Sequence, residues 1–276
     1  MMEVIYLLIN LEEAQQKVRG WVREVGELQR EKFGKKGLHV SFKAMNNELV
    51  TEVDTSSEKL LLKAIREAYP DHAILSEESG ALESHSDYLW VVDPLDGSVN
   101  YSQGIPLFVI SVALRYKGET VIGTIYQPVL EEMFESRKGC GAFLNGSRIK
   151  VSGKNELQES LVSSGYPYDK SAHQDNNANY FAHFVPKVRQ LMMTNTPAYD
   201  LACVAAGRLD GYWEINLEPW DIEAGGLLMR EAGGDMVYLP EKRGVSVVAG
   251  NPAICAQIRN EIRKIDSESP HNLVRG

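Results

Sequence analysis

The run Trp90-Val91-Val92-Asp93-Pro94-Leu95-Asp96-Gly97-Ser98 restricts this chain more than any other stretch. Its apolar start reads as a buried strand, and that strand delivers Asp93 at its end. Pro94 has a fixed φ and no amide hydrogen, so it is expected to turn the chain. Asp96 then returns three residues later, a spacing that lets both carboxylates and the Leu95 carbonyl face one point. Two acids closing a buried strand repel each other unless a cation sits between them. Oxygen ligands of this kind suit Mg²⁺ rather than zinc or copper. Gly97 permits close backbone approach, and Ser98 opens a short helix whose first amides, those of Gly97 and Ser98, can face an anion. One loop thus offers metal ligands and a phosphate cradle together.

Around this loop the pattern alternates between short apolar runs and amphipathic stretches. A helix is expected over 11–33, with Val18, Trp21, Val22, Val25 and Leu28 at helical spacing. A second is expected after Asp54, opened by a Thr55-Ser56-Ser57-Glu58 capping box and stopped by Pro70. Strands follow at 73–75 and 89–92, a hairpin at 108–116 and 121–126, and further strands at 132–136 and 142–151, together forming an antiparallel sheet. A polar joint at 152–157 divides the chain into halves 1–152 and 153–276. Beyond it come a strand at 161–164, a helix at 179–191 with Pro186 breaking or kinking it, and a helix at 198–206. A strand at 211–215, a helix at 222–232, and a strand and helix at 245–249 and 252–265 complete the pattern. Sheets with helices on their faces are the natural class, α/β or α+β, in one or two closely packed units.

The net charge of −9 argues against non-specific nucleic-acid binding, which draws on Lys and Arg meeting phosphates, and against an anionic membrane surface. An acidic protein that handles phosphate needs another positive charge, and bound divalent metal supplies it. Cys140, Cys203 and Cys255 form no C-x-x-C pair, and the six His form no close pair, so no thiolate or imidazole metal site is signalled. The apolar stretch at 4–9 is too short to span a bilayer and lacks the flanks of a signal peptide, which makes cytoplasm the default address. Three other acids could complete the centre. Glu77 follows a strand, Asp221 follows Trp220 at a helix start, and Asp54 stands at the head of its helix. Taken singly, each has a plain reading as a cap or a solvated surface acid.

With these residues assembled, the chain resembles the inositol monophosphatase family of Mg²⁺-dependent, Li⁺-sensitive phosphatases. Asp93-Pro94-Leu95-Asp96-Gly97-Ser98 matches the family's D-P-[IL]-D-G-[ST] signature. Trp220-Asp221-Ile222-Glu223-Ala224-Gly225 matches its W-D-x-A-[AG]-G-like signature, with Glu223 in place of a small or apolar residue. Glu48 to Asp54 corresponds to D-x-V-T-x-x-D, and Ser76-Glu77-Glu78-Ser79 to G-E-E-S. The likeness runs in order over 12–265 and implies a layered α-β-α-β-α sandwich with an antiparallel N-terminal and a mixed C-terminal sheet. It implies that Glu77, Asp93 and the Leu95 carbonyl bind a first Mg²⁺, and that Asp93, Asp96 and Asp221 bind a second, with Glu77 aiding a weaker third. By the same likeness Ser98 and Glu77 orient and deprotonate the attacking water, supported by Asp54. Substrate contacts fall to Glu77, Leu95, Asp96, Gly97, Ser98, Glu214 and Asp221, the Gly97 and Ser98 amides holding phosphate and Glu214 a substrate hydroxyl. The implied partners are a small phosphorylated metabolite and a second copy in a homodimer, with no nucleic acid and no membrane.

The chemistry is coherent without the likeness, because a phosphate monoester dianion repels hydroxide and needs its charge neutralised by metal. Inositol monophosphate is the first substrate expectation. Adenosine 3',5'-bisphosphate, fructose 1,6-bisphosphate and histidinol phosphate are the alternatives within the superfamily, and a regulatory binding protein on the same fold is the alternative outside enzymology. Met192-Met193-Thr194-Asn195-Thr196-Pro197-Ala198 departs from the family's Arg followed by G-[ST]-A-A: Asn195 replaces Gly, and Pro197 has no amide hydrogen to offer a sugar hydroxyl.

Overall fold

Asn10 begins the first helix, its Oδ1 accepting the amides of Glu12 at 2.9 Å and Glu13 at 3.3 Å. Helix α1 then runs Leu11–Lys32 and buries Ala14, Val18, Val22, Val25 and Gln29. The computed structural model describes residues 9–35, 37–42, 49–240 and 242–268. The apolar stretch at 4–8 and Glu48 lie outside the described residues. A two-stranded ladder, β1 (Val40–Phe42) and β2 (Leu49–Thr51), leads into α2 (Glu52–Ala68).

The start of α2 corrects one expectation. Its cap is Thr51, whose Oγ1 accepts the amides of Val53 at 3.1 Å and Asp54 at 3.4 Å, while Asp54 Oδ2 accepts the Thr51 amide at 2.9 Å. Asp54 is therefore the third residue of the helix and not its cap. Glu58, expected to close a box with Thr55, is drawn instead to the amides of Glu78 and Ser79 at 3.2 and 3.0 Å.

An eight-stranded sheet follows, made of β3 (Ala73–Ser76), β4 (Gly80–Leu82), β5 (Tyr88–Asp96), β6 (Val109–Tyr116), β7 (Glu119–Gln127), β8 (Glu132–Arg137), β9 (Gly141–Leu144) and β10 (Ser147–Ile149). Its order is β10-β9-β8-β7-β6-β5-β3-β4, antiparallel except for the parallel β3–β5 pair. The strand expected at 142–151 is split into β9 and β10 by Asn145-Gly146, both at positive φ (48° and 80°), as a two-residue hairpin turn requires. Helix α3 (Ser98–Ser102) lies between β5 and β6.

The second sheet contains β11 (Leu161–Ser164), β12 (Gln190–Met192), β13 (Gly211–Leu217), β14 (Asp235–Tyr238) and β15 (Val245–Gly250) in the order β12-β11-β13-β15-β14. β12-β11-β13 are parallel and β13-β15-β14 antiparallel, so the sheet is mixed. Between its strands come α4 (Ala178–Phe184), α5 (Pro197–Ala205) and α6 (Pro219–Glu231), and α7 (Pro252–Glu268) follows β15. The helix expected over 179–191 stops at Phe184, two residues before Pro186, and Leu191 belongs to the edge strand β12.

Three apolar clusters define the layers. α1 and α2 pack Val18, Val22, Leu61 and Ile65 on one face of the large sheet with Trp90, Val112 and Ile122. α5 and α6 fill the space between the sheets, where Leu201, Ala202 and Leu228 meet Val91, Ala113 and Ile125 from one sheet and Tyr212 and Val247 from the other. α4 and α7 cover the far face through Phe184, Ile258 and Ile262. The result is an α-β-α-β-α sandwich, and its central layer draws side chains from both sides of the 152–157 joint. Glu223 belongs to this interface: it accepts the Thr120 hydroxyl and lies 3.4 Å from Arg115, so α6 is tied to the β6–β7 hairpin at the position where the family keeps a small or apolar residue.

Candidate active site

Both sheets deform where they meet one cavity. On β5, Asp93 pairs with Ser111 and Asp96 with Val109, three steps against two on β6. Residues three apart on a regular strand face opposite sides; the surplus residue returns both acids to the same side. Pro94 therefore does not end the strand as expected. It sits inside the bulge, where a missing amide hydrogen interrupts no ladder bond. On β13, Glu214 pairs with Val247 and Leu217 with Val245, again three against two, with Asn216 at φ 60°. A cavity of about 420 Å³ opens at these two bulges and is lined by Glu77, Asp93, Leu95, Asp96, Gly97, Ser98, Glu214 and Asp221.

Three of the acids are held by backbone amides. Asp93 Oδ1 accepts from Leu95 at 3.0 Å, Asp96 Oδ2 from Ala198 at 2.7 Å, and Asp221 Oδ2 from Glu218 at 2.8 Å. Glu77 is brought beside Asp93 because its own amide bonds Val92 O at 3.2 Å, prolonging the parallel β3–β5 pairing by one residue. Asp221, like Asp54, is the third residue of its helix in a capping box, here closed by Glu218. Asp54 is completely buried; its Oδ1 accepts the Ser98 hydroxyl and its Oδ2 the Thr51 hydroxyl. Ser98 Oγ also lies 3.0 Å from Leu95 O. Gly97, at φ 99°, precedes α3, and a Cβ there would meet Leu107 O at 2.7 Å and Thr196 Oγ1 at 2.8 Å.

Burial, then the charges of Asp96 and Asp221, push the Asp93 carboxyl well above the ordinary range. Burial and Asp221 do the same to Asp96. Burial also raises Asp54, against hydrogen bonds from Ser98 and Thr51 that pull it down. Glu214, buried and accepting the Tyr212 hydroxyl at 2.7 Å, is raised to about 8 by burial. Among the described residues, seven acids and no Lys, Arg or His line the cavity. Also among the described residues, no three acids, His or Cys stand in a finished metal cluster; the carboxylates are neighbours with fixed planes. Their oxygen-only chemistry, surplus charge and burial fit a hard divalent cation.

The segment at 192–198 has two local features of its own. Asn195 has φ 58°, a left-handed conformation that Asn tolerates better than most residues and that Gly would also adopt. Pro197 occupies the first turn of α5, where an amide has no helical partner, and the next amide, that of Ala198, is the one bonded to Asp96.

Several supporting residues escaped the sequence reading. Fully buried Gln29 donates to Pro94 O at 2.8 Å and braces the bulge from α1. Asn100 Nδ2 donates to Leu107 O at 2.9 Å and Thr194 O at 2.7 Å, joining α3 to the segment after β12. Asp200, pushed up to about 7 by burial, accepts the Ser163 hydroxyl at 2.9 Å. Polar residues on otherwise apolar helix faces, as Gln29 is beside Val25, were the available signal.

Comparison with known proteins places these features in a group. The profile of the inositol monophosphatase family matches residues 10–267. The chain is 38% identical to the Nus factor SuhB of Escherichia coli over 226 residues, 79% of this chain and 85% of that protein. It is 36% identical to the inositol-1-monophosphatase of Mesorhizobium japonicum over 263 residues, 94% of this chain and 96% of that one. The inositol monophosphatase structure from Anabaena superimposes with a TM-score of 0.83 at 33% identity, covering 93% of this chain and 97% of that chain.

Proposed function

Because the chain belongs to the inositol monophosphatase family, we propose that it is a Mg²⁺-dependent phosphoric monoester hydrolase acting on a small phosphorylated metabolite, with inositol monophosphate as the substrate. The supporting observation is the cavity itself: seven acids, no basic side chain among the described residues, and the amides of Gly97 and Ser98 at a helix start. Such a cavity accepts a phosphate dianion only with cations present. The ligands in this reading are Glu77, Asp93 and the Leu95 carbonyl for one ion, Asp93, Asp96 and Asp221 for a second, and Glu77 for a third. Bound there, Mg²⁺ neutralises the phosphate and favours ionisation of water.

The chain's own residues do the rest. Ser98, held by Asp54, and Glu77 orient the attacking water and take its proton. The first amides of α3 hold the phosphate oxygens. Glu214, raised to about 8, keeps its proton at neutral pH and can therefore donate to a hydroxyl of the leaving alcohol as well as accept from one. Halves 1–152 and 153–276 act as one catalytic unit, because Asp221 and Glu214 come from the second and the remaining ligands from the first. The family reading carries with it Li⁺ sensitivity, a homodimer and a cytoplasmic location. Separately, no helix among the described residues is long and apolar enough to cross a membrane.

The test is phosphate release from inositol 1-phosphate, fructose 1,6-bisphosphate, adenosine 3',5'-bisphosphate and histidinol phosphate, with Mg²⁺ and with chelator. Metal-dependent release, highest on inositol 1-phosphate, is expected; no release from any ester overturns the enzyme reading. The relatives named Nus factor SuhB favour a second reading, a regulatory binding protein on the same fold. In that case an Asp93→Asn variant would keep its cellular role while losing any hydrolysis.

A further inference from the structure

One wall of the cavity has no part in the roles above. It is the strap between β11 and α4, from which Tyr166, Pro167, Tyr168 and Asp169 face the space. The strap is anchored at both ends. At its start, Gly165 packs so closely on the Glu214 carboxylate that a Cβ would meet Oε2 at 2.7 Å. At its end, buried Asn177 donates to Ser164 Oγ at 2.9 Å and accepts Trp213 Nε1 at 2.8 Å. Tyr166 is stacked on Phe181 of α4, with ring centroids 4.5 Å apart and planes 20° apart.

Its middle is held by one side chain from another part of the chain. Arg243, in the turn between β14 and β15, reaches Asp169 with both terminal nitrogens, Nη1 at 2.6 Å and Nη2 at 3.1 Å, and Nη2 also donates to Asp175 O at 2.9 Å. A two-pronged guanidinium–carboxylate pair fixes orientation as well as position, which an ammonium cannot do. It also neutralises one of the seven acids on the cavity, and the Asp169 carboxyl is held below its ordinary range by that contact. Tyr168, 48% exposed, is presented beside this clamp.

We propose that this strap seats the leaving alcohol: Tyr168 is the surface on which a ring-bearing alcohol lays its apolar C–H face, and Arg243 is the positioning residue that sets Tyr168 through Asp169. The proposal rests on the phosphatase reading and adds to it a preference for cyclic over short acyclic alcohols. The phosphate end is independent of the strap, since the residues assigned to it come from β5, α3 and α6 and from Glu77 and Gly97, which directly follow β3 and β5.

The experiment is steady-state hydrolysis of inositol 1-phosphate and glycerol 2-phosphate, both alkyl esters, with inhibition by inorganic phosphate measured alongside. Two variants are compared with the parent: Arg243→Lys keeps the charge and loses the fork, and Tyr168→Ala removes the platform while leaving the Arg243 bridge. Each is expected to raise KM for inositol 1-phosphate about tenfold with kcat within about twofold. KM for glycerol 2-phosphate and the Ki of phosphate should stay within about twofold of the parent. Unchanged KM for the cyclic ester, or an equal rise for both esters, overturns the proposal while leaving the phosphatase reading intact. Absence of phosphate release by the parent overturns both.

Discussion

The two bulges that meet at the cavity use the same device to different ends. On β5 the surplus residue lies between two acids, and its flanks are fixed by long-range bonds: Gln29 to Pro94 O, and the Ala198 amide to Asp96. On β13 the surplus lies between Glu214 and Leu217, and the irregularity is carried by one left-handed residue, Asn216, whose amide bonds Ser246 Oγ at 3.0 Å. The first bulge gathers acids whose crowding raises their carboxyls and which a divalent cation would neutralise. The second presents a single buried acid, its carboxyl raised to about 8 by burial, to the same cavity. Under the proposed function, the contrast separates a catalytic from a selective side of the cavity and makes each side breakable alone.

The largest effect should come from the β5 bulge. Asp93→Asn should lower kcat/KM on the order of 10³-fold or more, and saturating Mg²⁺ should not restore it. Ser98→Ala should lower kcat on the order of 10²-fold, while Ser98→Thr, which keeps the hydroxyl against Asp54, should stay near the parent rate. On the β13 side, Glu214→Gln should raise KM about tenfold for a polyol phosphate and change kcat little. The same variant carries a pH signature in metal-free protein. Glu214 titrates near the ordinary 4.5 of a glutamate when unfolded and near 8 when folded, so the folded state binds the extra proton between those values. Its stabilising contribution is complete below about 4.5 and is lost as pH rises through about 8. The melting temperature should therefore fall less from pH 5 to pH 9 in Glu214→Gln than in the parent; an equal fall would deny that Glu214 holds the proton. The smallest effect is conformational. Asn216→Val places a β-branched residue at φ 60° and should destabilise by about 1–3 kcal/mol, read as a lower Tm, while Asn216→Gly should be close to neutral.

The β5 side was legible from sequence because Pro94 and Gly97 punctuate it, and because acids at the ends of apolar runs stand out. The β13 side was not, since Glu214 to Leu217 looks like a strand simply continuing, and nothing in it announces a bulge. The start of α2 misled for a related reason. Thr51-x-x-Asp54 and Thr55-x-x-Glu58 are both credible boxes, and only the tertiary pull of the Glu78 and Ser79 amides on Glu58 decides between them. Pro186 marked the break in the α4 region, but the edge strand after it gains its identity solely by pairing with β11. Sequence likewise showed that 192–198 departs from the family pattern without showing that Asn195 takes up a left-handed conformation.

The odd residue in β5 makes that segment sensitive to length more than to composition. Deleting either Pro94 or Leu95 would restore an even ladder and leave the acids two apart on one side, but it would remove either the Pro94 carbonyl that Gln29 braces or the Leu95 carbonyl beside the Ser98 hydroxyl. Insertions and deletions should therefore be far less tolerated there than exchanges of side chain. A designer grafting this centre onto an unrelated sheet must transfer the irregularity together with its aspartates, or they will arrive back to back.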